Sequence, residues 1–368
     1  MQRKRVYKQY GPEGLKSLFT SEKIRGVENP YFLENAYLSS LPTGSRKYAV
    51  MELLDALKSN LAKKKLNPKH RFKLKHRVRK GAQSFRIEFG AVRRLGNGRV
   101  RIYPGSKLLS KGGFEVNEKN VVDFESDLIL QKDVLGRYWL IAPYYVAPDN
   151  QGSFGERGCC AIDPGVRTFA TVYDPEHGLH KIGDGASSRI FGLLKNLDAL
   201  LEKQAEWNER VGRSKKRVAC SRSRRRLALA IQRLRERVKD LVRELHRKTA
   251  HFLTTRYHTI VLPPFETKKM SSKICRKLRK KSVRQMLGMS HYAFRLKLQA
   301  KAEQRGCVVH ILGEEYTSKT CTSCGNIHEK LGSSERFVCP TCAVVYDRDG
   351  GAARNIFIKN YEIATLPR

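Results

Sequence analysis

The chain has 368 residues, 40% of them hydrophobic, enough to build two or three cored domains. Its 73 Lys and Arg against 35 Asp and Glu leave a formal charge of +38, which repels itself unless a polyanion is present, so nucleic acid is the expected partner. No apolar run approaches the roughly 20 residues of a membrane span and no signal-peptide pattern occurs, so no membrane partner is expected.

Residues 46–63 place Ala49, Val50, Leu53, Leu54, Leu57 and Leu61 at three- and four-residue steps, the pattern of an amphipathic helix. From Lys63 to Lys80, ten of eighteen residues are Lys or Arg. That run is either a solvated face or a phosphate-contacting strip, and the overall charge favours the strip. Ser84–Phe89 and Val100–Tyr103 alternate as strands, and Asp127–Gln131 with Tyr138–Val146 reads as a hairpin around Gly136. Residues 1–67 are expected as a helical segment, 68–150 as a small β domain and 151–368 as a separate α/β unit.

In that last unit, Cys159–Ile162 is a short apolar strand ending at Asp163, and Val166–Tyr173 supplies a second strand. Residues 189–256 read as a helical hairpin. Leu227, Ile231, Leu234, Val238, Leu241 and Leu245 step 4-3-4-3-4 as its seam, against Leu194, Leu197 and Leu201. Its basic tip, 213–226, reads as phosphate-contacting or as a nuclear-import patch. Thr259–Leu262 is a buried-type strand stopped by Pro263 and Pro264. A helix (Leu287, Phe294, Leu298, Ala302) then leads to the strand Cys307–Leu312 and to Glu314 and Glu315. The fold class expected is multidomain α+β, its last unit having the element order of an RNase H-like domain.

Near the C-terminus, Cys321-Thr-Ser-Cys324 and Cys339-Pro-Thr-Cys342 stand 14 residues apart. Two C-x2-C turns at that distance make a tetrahedral thiolate site closed on four corners, the pattern of a structural Zn²⁺, so 317–345 is expected as a zinc ribbon. Paired disulfides are the alternative, disfavoured because nothing marks the chain as secreted. Cys159, Cys160, Cys220, Cys275 and Cys307 remain, and they suit a reducing compartment as ordinary partly buried residues.

Two-metal phosphodiester hydrolysis needs three or four carboxylates around Mg²⁺ ions roughly 4 Å apart. Asp163 closes a strand and Asp349 opens the last helix, so each can project from fixed backbone into one cleft. Taken singly, an aspartate at a strand end is more often a turn or helix cap. Only the combined pattern argues for metal.

Three segments then carry a resemblance: Ala161-Ile-Asp163-Pro-Gly-Val-Arg-Thr168, Thr317 through Gly325, and Asp347-Arg-Asp349 through Ala352, Ala353, Arg354 and Asn355. They resemble the RuvC-type nuclease core of TnpB, the RNA-guided endonuclease of insertion sequences related to type V CRISPR effectors. Val261–Thr267 with Met270, Ser290–Phe294, and Glu315–Thr320 are similar to its eukaryotic and giant-virus branch, called Fanzor. The resemblance covers about 155–360 strongly. It is weak over 31–150, where the family has recognition helices and a wedge β domain. Against the family, the first wedge strand is expected to be shortened or absent near Met1.

The resemblance implies an RNase H-like (RuvC) domain carrying the zinc ribbon as an insertion, with two catalytic Mg²⁺ ions. It implies one protein bound per guide RNA (omega RNA) and double-stranded target DNA cut beside a short motif. The expected location is the nucleus for a eukaryotic source, otherwise a prokaryotic cytoplasm. The alternative is a non-cleaving nucleic-acid-binding regulator of a transposable element, and an unguided structure-specific nuclease is a third reading. This chain departs from the family pattern twice. Gly351 stands where Asn is common, and Pro263 takes the place of the middle glutamate, where it cannot bind a metal. Asp163 and Asp349 therefore need a relocated partner: Glu266, three residues past Pro263, or Glu314, whose strand neighbours 259–262 in an RNase H fold, with Glu314 favoured by the resemblance to Fanzor-type sequences with a relocated glutamate. Glu315 ranks third, since continued alternation turns it to the opposite face.

Overall fold

The structure is a computed structural model that describes residues 23–24, 27–29, 34–35, 37–72, 81–96, 99–105, 114–116, 126–145, 158–213, 222–265, 267, 280–332 and 334–362. Glu266, Met270, Cys220, Cys275 and the basic stretches 73–80 and 214–221 lie outside these residues. The chain divides into two units, Met1–Tyr145 and Val146–Arg368. No helix among the described residues is long and apolar enough to cross a membrane.

In the first unit, β1 (Lys23–Ile24) and β2 (Val27–Glu28) pair antiparallel inside the segment expected to be helical. The short helix α1 (Tyr37–Ser40) and the long α2 (Thr43–Leu66) follow. Val50 and Leu54 are buried on α2, whereas Leu61 near its end is exposed. Two antiparallel sheets complete the unit. One joins β3 (Gln83–Ile87), β7 (Leu128–Lys132) and β8 (Tyr138–Ile141); the other joins β4 (Val92–Gly96), β5 (Arg99–Ile102) and β6 (Phe114–Glu115). The β7–β8 turn is closed by Asp133, whose Oδ1 accepts from the N–H groups of Leu135 and Arg137, both at 2.9 Å. Gly136 there takes φ +86°, a conformation that favours a residue without Cβ. Tyr48 of α2 donates to Asp127, which also accepts from the Phe89 N–H, so one carboxylate ties the helix to the sheet. Burial first, then Asp127, pushes the Tyr48 phenol up to about 12.

The second unit is built on one mixed sheet. Its strands are β9 (Gly158–Pro164), β10 (Ala170–Asp174), β11 (Gly178–Ile182), β12 (Tyr257–Leu262) and β13 (Val308–Ile311), in the order β11-β10-β9-β12-β13. The first three are antiparallel, and β12 and β13 run parallel to β9. Period-2 alternation gives the sheet two different faces. Cys160, Ile162, Ala170, Val172, Ile260 and Leu262 face one way. They pack on the helices α3 (Ala186–Arg213), α4 (Arg222–Arg256), α5 (Lys280–Met289) and α6 (His291–Gln304). Ala161, Val261, Cys159, Tyr173 and Leu312 face the other way, against Ile356 and Phe357 of the last helix, α7 (Arg348–Lys359). The helical hairpin of α3 and α4 is present, but its seam is shallow. Ile231 and Val242 are buried, while Leu227, Leu234, Val238, Leu241 and Leu245 are half-buried. A two-helix hairpin covers each seam residue from one side only, so most keep solvent contact.

Where α4, α5 and α6 meet the sheet, Phe169 stacks against two histidines, His246 at 5.4 Å and His291 at 5.0 Å between ring centres. His246 Nε2 donates to the Met289 carbonyl at 2.9 Å, the carbonyl fixing the tautomer. Burial first, then the neighbouring His246, pushes His291 down to about 4, with the Gly165 backbone offsetting part of this. The folded chain keeps this ring neutral, whereas the unfolded chain takes up the proton near pH 6.5. The stability it supports is therefore complete above about pH 6.5 and is lost as pH falls toward about 4, by roughly 3 kcal/mol. Urea midpoints should fall between pH 7.5 and 4.5, and His291→Phe should remove much of that fall. An equal fall in both proteins would refute this assignment.

Candidate carboxylate and metal-binding site

The parallel register decides which side chains meet. Val261 pairs with Ala161 of β9 and with His310 of β13. Two residues further along each chain stand Pro263, Asp163 and Leu312, on the face covered by α7. Asp163 is fixed at the end of β9, opposite Thr171 of β10. Pro263 is buried and sits at the level of Asp163. Glu314 lies two residues past Leu312. Its backbone is held by a turn in which its carbonyl accepts from Thr317 N at 3.2 Å and Thr317 Oγ1 at 2.8 Å.

Asp349 enters from α7. Asp347 caps this helix, its Oδ1 accepting from the Gly350 N–H at 2.9 Å, and Asp349 occupies the first turn, where the helix dipole favours a negative charge. Partial burial would raise the Asp347 carboxyl, but its hydrogen bonds from Lys181 and Gly350 outweigh this and hold it below the usual range. Two of the predicted acids then act on the third. The Asp163 carboxyl is pushed well above the usual range, by burial first, then by the charges of Asp349 and Glu314, with Arg348 opposing. Glu314 is raised as well, by burial first and then by Glu315. Glu315 turns away to Lys359 at the far end of α7, in a 2.6 Å ion pair. Regular alternation stops at Ile311, so this ion pair, rather than strand parity, removes Glu315 from the cluster.

The four cysteines come together independently. Their sulfurs lie within 4.8 Å of one another, and among the described residues no other three His, Cys, Asp or Glu do so. Cys321 and Cys342 Sγ are 3.6 Å apart, as are Cys324 and Cys339. That is too long for a disulfide bond of about 2.05 Å and close to the roughly 3.8 Å edge of a zinc–thiolate tetrahedron. The N–H groups of Ser323 and Thr341 point at Cys321 and Cys339 sulfur, both at 3.4 Å. Both turns close through a left-handed residue, Gly325 at φ +75° and Ala343 at φ +58°. The amide of Cys342 leads in pulling the Cys339 thiol down to about 6. Cys342 is instead pushed up to about 12: the Val344 amide lowers it, but desolvation and the neighbouring thiols prevail. Four thiols this close cannot all ionise without a cation, and the cluster can hold a metal ion such as zinc.

The ribbon around them, with β14 (Arg336–Val338) and β15 (Val345–Asp347), has its own small core of Leu331, Phe337, Val344 and Tyr346. It is tied to α7 by Asn355, whose Nδ2 donates to the carbonyls of Thr317 and Thr320 at 2.9 and 2.7 Å.

The family model of the Cas12f1-like TNB domain matches residues 291–356, a span that includes Glu314, all four cysteines and Asp349. A candidate transposase of Paramecium bursaria Chlorella virus 1 is 30% identical over 352 residues, covering 94% of this chain and 76% of the viral protein. A TnpB-like protein of Acanthamoeba polyphaga mimivirus is 26% identical over 244 residues, 65% of this chain and 44% of that protein. The chain belongs to the TnpB family. The CRISPR-associated endodeoxyribonuclease Cas12f1 of Sulfoacidibacillus thermotolerans aligns over a shorter stretch, 36% identical across 75 residues, 20% of this chain and 18% of that protein. The longer matches are all to viral proteins.

Gly351, one of the two departures from the TnpB pattern, has a packing cause. A Cβ there would lie 2.2 Å from Cε2 of Tyr346. That ring cannot give way easily: it stacks on Phe337 at 4.7 Å, its OH donates to the Thr320 carbonyl, and it accepts from Thr322 N. Glycine inside a helix costs up to about 1 kcal/mol relative to alanine, whereas overpacking costs about 1–3 kcal/mol, so the clash should win. Gly351→Ala is expected to lower the melting temperature, and a rise would refute this account.

Sequence reasoning missed β11 and, with it, Lys181, whose Nζ donates to Asp347 at 2.7 Å. The available signal was the Asp-Pro-Glu-His-Gly turn at 174–178 followed by the alternation Leu179, His180, Lys181, Ile182. Glu266 lies outside the described residues, so its place relative to the other acids is not described.

Proposed function

We propose that this protein is an RNA-guided DNA endonuclease that cuts double-stranded DNA next to a short motif. The observation carrying this reading is an end of the mixed sheet where Asp163 feels the charges of both Asp349 and Glu314, in a chain of charge +38. The strand order supports an RNase H-like (RuvC) nuclease domain with residues 317–345 inserted as a zinc ribbon. The β sheets of the first unit would serve as the wedge and its helices as the recognition segment. Asp163, Asp349 and Glu314 would hold two Mg²⁺ ions. The donor set suits them, because half-buried carboxylates that repel one another are relieved by divalent cations. Bound there, the metals would supply an activated water and neutralise the leaving oxygen. The chain's own contribution is to hold Asp163 at a strand end, Asp349 at a helix start and Glu314 in a hydrogen-bonded turn. Base pairing with a guide RNA, one per protein, would read the target sequence. The nucleus is the proposed location if the host is eukaryotic.

Purification with bound RNA, its sequencing, and cleavage of a plasmid matching that RNA test the proposal. RNA of random length, or no cutting of the matched plasmid, would defeat it. The second reading, a non-cleaving regulator of a transposable element, draws on Pro263 standing where the family carries its middle glutamate. Either reading requires electrostatic binding. Affinity for duplex DNA should fall with salt at a log–log slope of about 0.9 for each phosphate neutralised. A slope near zero would refute a nucleic-acid role for the charge.

A further inference from the structure

We infer that Lys181 is a positioning residue: acting through Asp347, it holds the first turn of α7, and with it Asp349, against the strand ends that carry Asp163. Lys181 pairs with Thr171 across β11 and β10, and Thr171 pairs with Asp163 across β10 and β9. Directly paired residues of antiparallel strands point to one side, so the three form a row on the face covered by α7. At its outer end, Lys181 Nζ donates to Asp347 Oδ2 at 2.7 Å, while Asp347 Oδ1 accepts the Gly350 N–H at 2.9 Å. One carboxylate thus joins a strand to a helix start 166 residues away in sequence.

The other side of this helix start is held by the ribbon. Arg348 N donates to the Glu335 carbonyl at 2.9 Å, and Arg348 Nη1 donates to the Gly332 carbonyl at 3.1 Å. Asp349 lies between these two anchors. The ammonium also sorts the two aspartates of Asp347-Arg348-Asp349, committing the first to the helix cap. Both partners are nearly half exposed, 46% for Lys181 and 42% for Asp347. Such a pair adds little to global stability, so its signature is local.

The geometry stands without the nuclease reading, while the catalytic consequence rests on it. The test combines hydrogen exchange at the Gly350 amide of the full-length protein with cleavage kinetics of its guide complex. Lys181→Met and Asp347→Asn should each speed Gly350 exchange about two- to fivefold. Each should lower kcat about tenfold or more at unchanged KM, because a small misplacement of a reacting group is costly. Lys181→Arg should restore both readouts, and the melting temperature should barely move. Unchanged exchange in Lys181→Met overturns the inference, and so does faster exchange with wild-type kcat. A loss of cleavage in Lys181→Met but not in Asp347→Asn also overturns it, assigning Lys181 to direct substrate contact. If the wild-type protein cuts nothing, the nuclease reading fails and the exchange comparison alone decides on the clamp.

Discussion

Asp163→Ala and Asp349→Ala are each expected to abolish target cleavage while leaving guide and target binding intact. Removing one ligand of a two-metal site strips transition-state charge stabilisation of several kcal/mol, and about 4 kcal/mol corresponds to roughly a thousandfold in rate. Binding should survive because it draws on basic surface rather than on three acids. A stability measurement separates this outcome from misfolding. Asp163 is half-buried beside like charges, so Asp163→Asn should raise the melting temperature in EDTA while remaining inactive. An inactive variant with a lowered melting temperature would leave the loss to misfolding and defeat the assignment. Glu314→Gln against Glu266→Gln decides the third carboxylate. If only the second abolishes cutting, Glu314 is the wrong choice; if neither does, the two-metal reading fails.

Metal analysis is expected to find about one Zn²⁺ per chain, and Cys339→Ser should unfold residues 317–345. Structural zinc contributes on the order of 10–16 kcal/mol in small cysteine sites, far more than a four-residue apolar core can replace. The damage should spread to the start of α7, because Tyr346, Arg348 and Asn355 all anchor it to ribbon backbone. Cleavage should fall with the ribbon, whereas amide exchange in β3, β7 and β8 should stay as in the wild type. A fully folded protein free of zinc would overturn this prediction.

The gathering of the four cysteines was legible because ligand spacing in sequence already encodes a closed tetrahedron. The strands β9, β12 and β13 were legible as short apolar runs. The second strand was expected from Val166 but begins at Ala170. Residues 165–169 instead form a turn, with Gly165 N donating to the Phe169 carbonyl at 3.2 Å. Strand β11 went unread because its side chains are only partly buried, and partial burial leaves a weak apolar pattern. The Lys181–Asp347 pair could not be read at all. A contact across 166 residues leaves no local periodicity.

The ribbon has a further meaning as a length of polymer. Thirty-four residues separate Glu314 from Asp349, and bringing two such ends together costs entropy that grows by about 0.6 kcal/mol for each doubling of a flexible loop. A cross-link joining Cys321, Cys324, Cys339 and Cys342 would make the path between the two acids behave as two short connectors. Metal uptake by the ribbon would then lower the entropic cost of bringing Asp349 to the sheet end that carries Asp163.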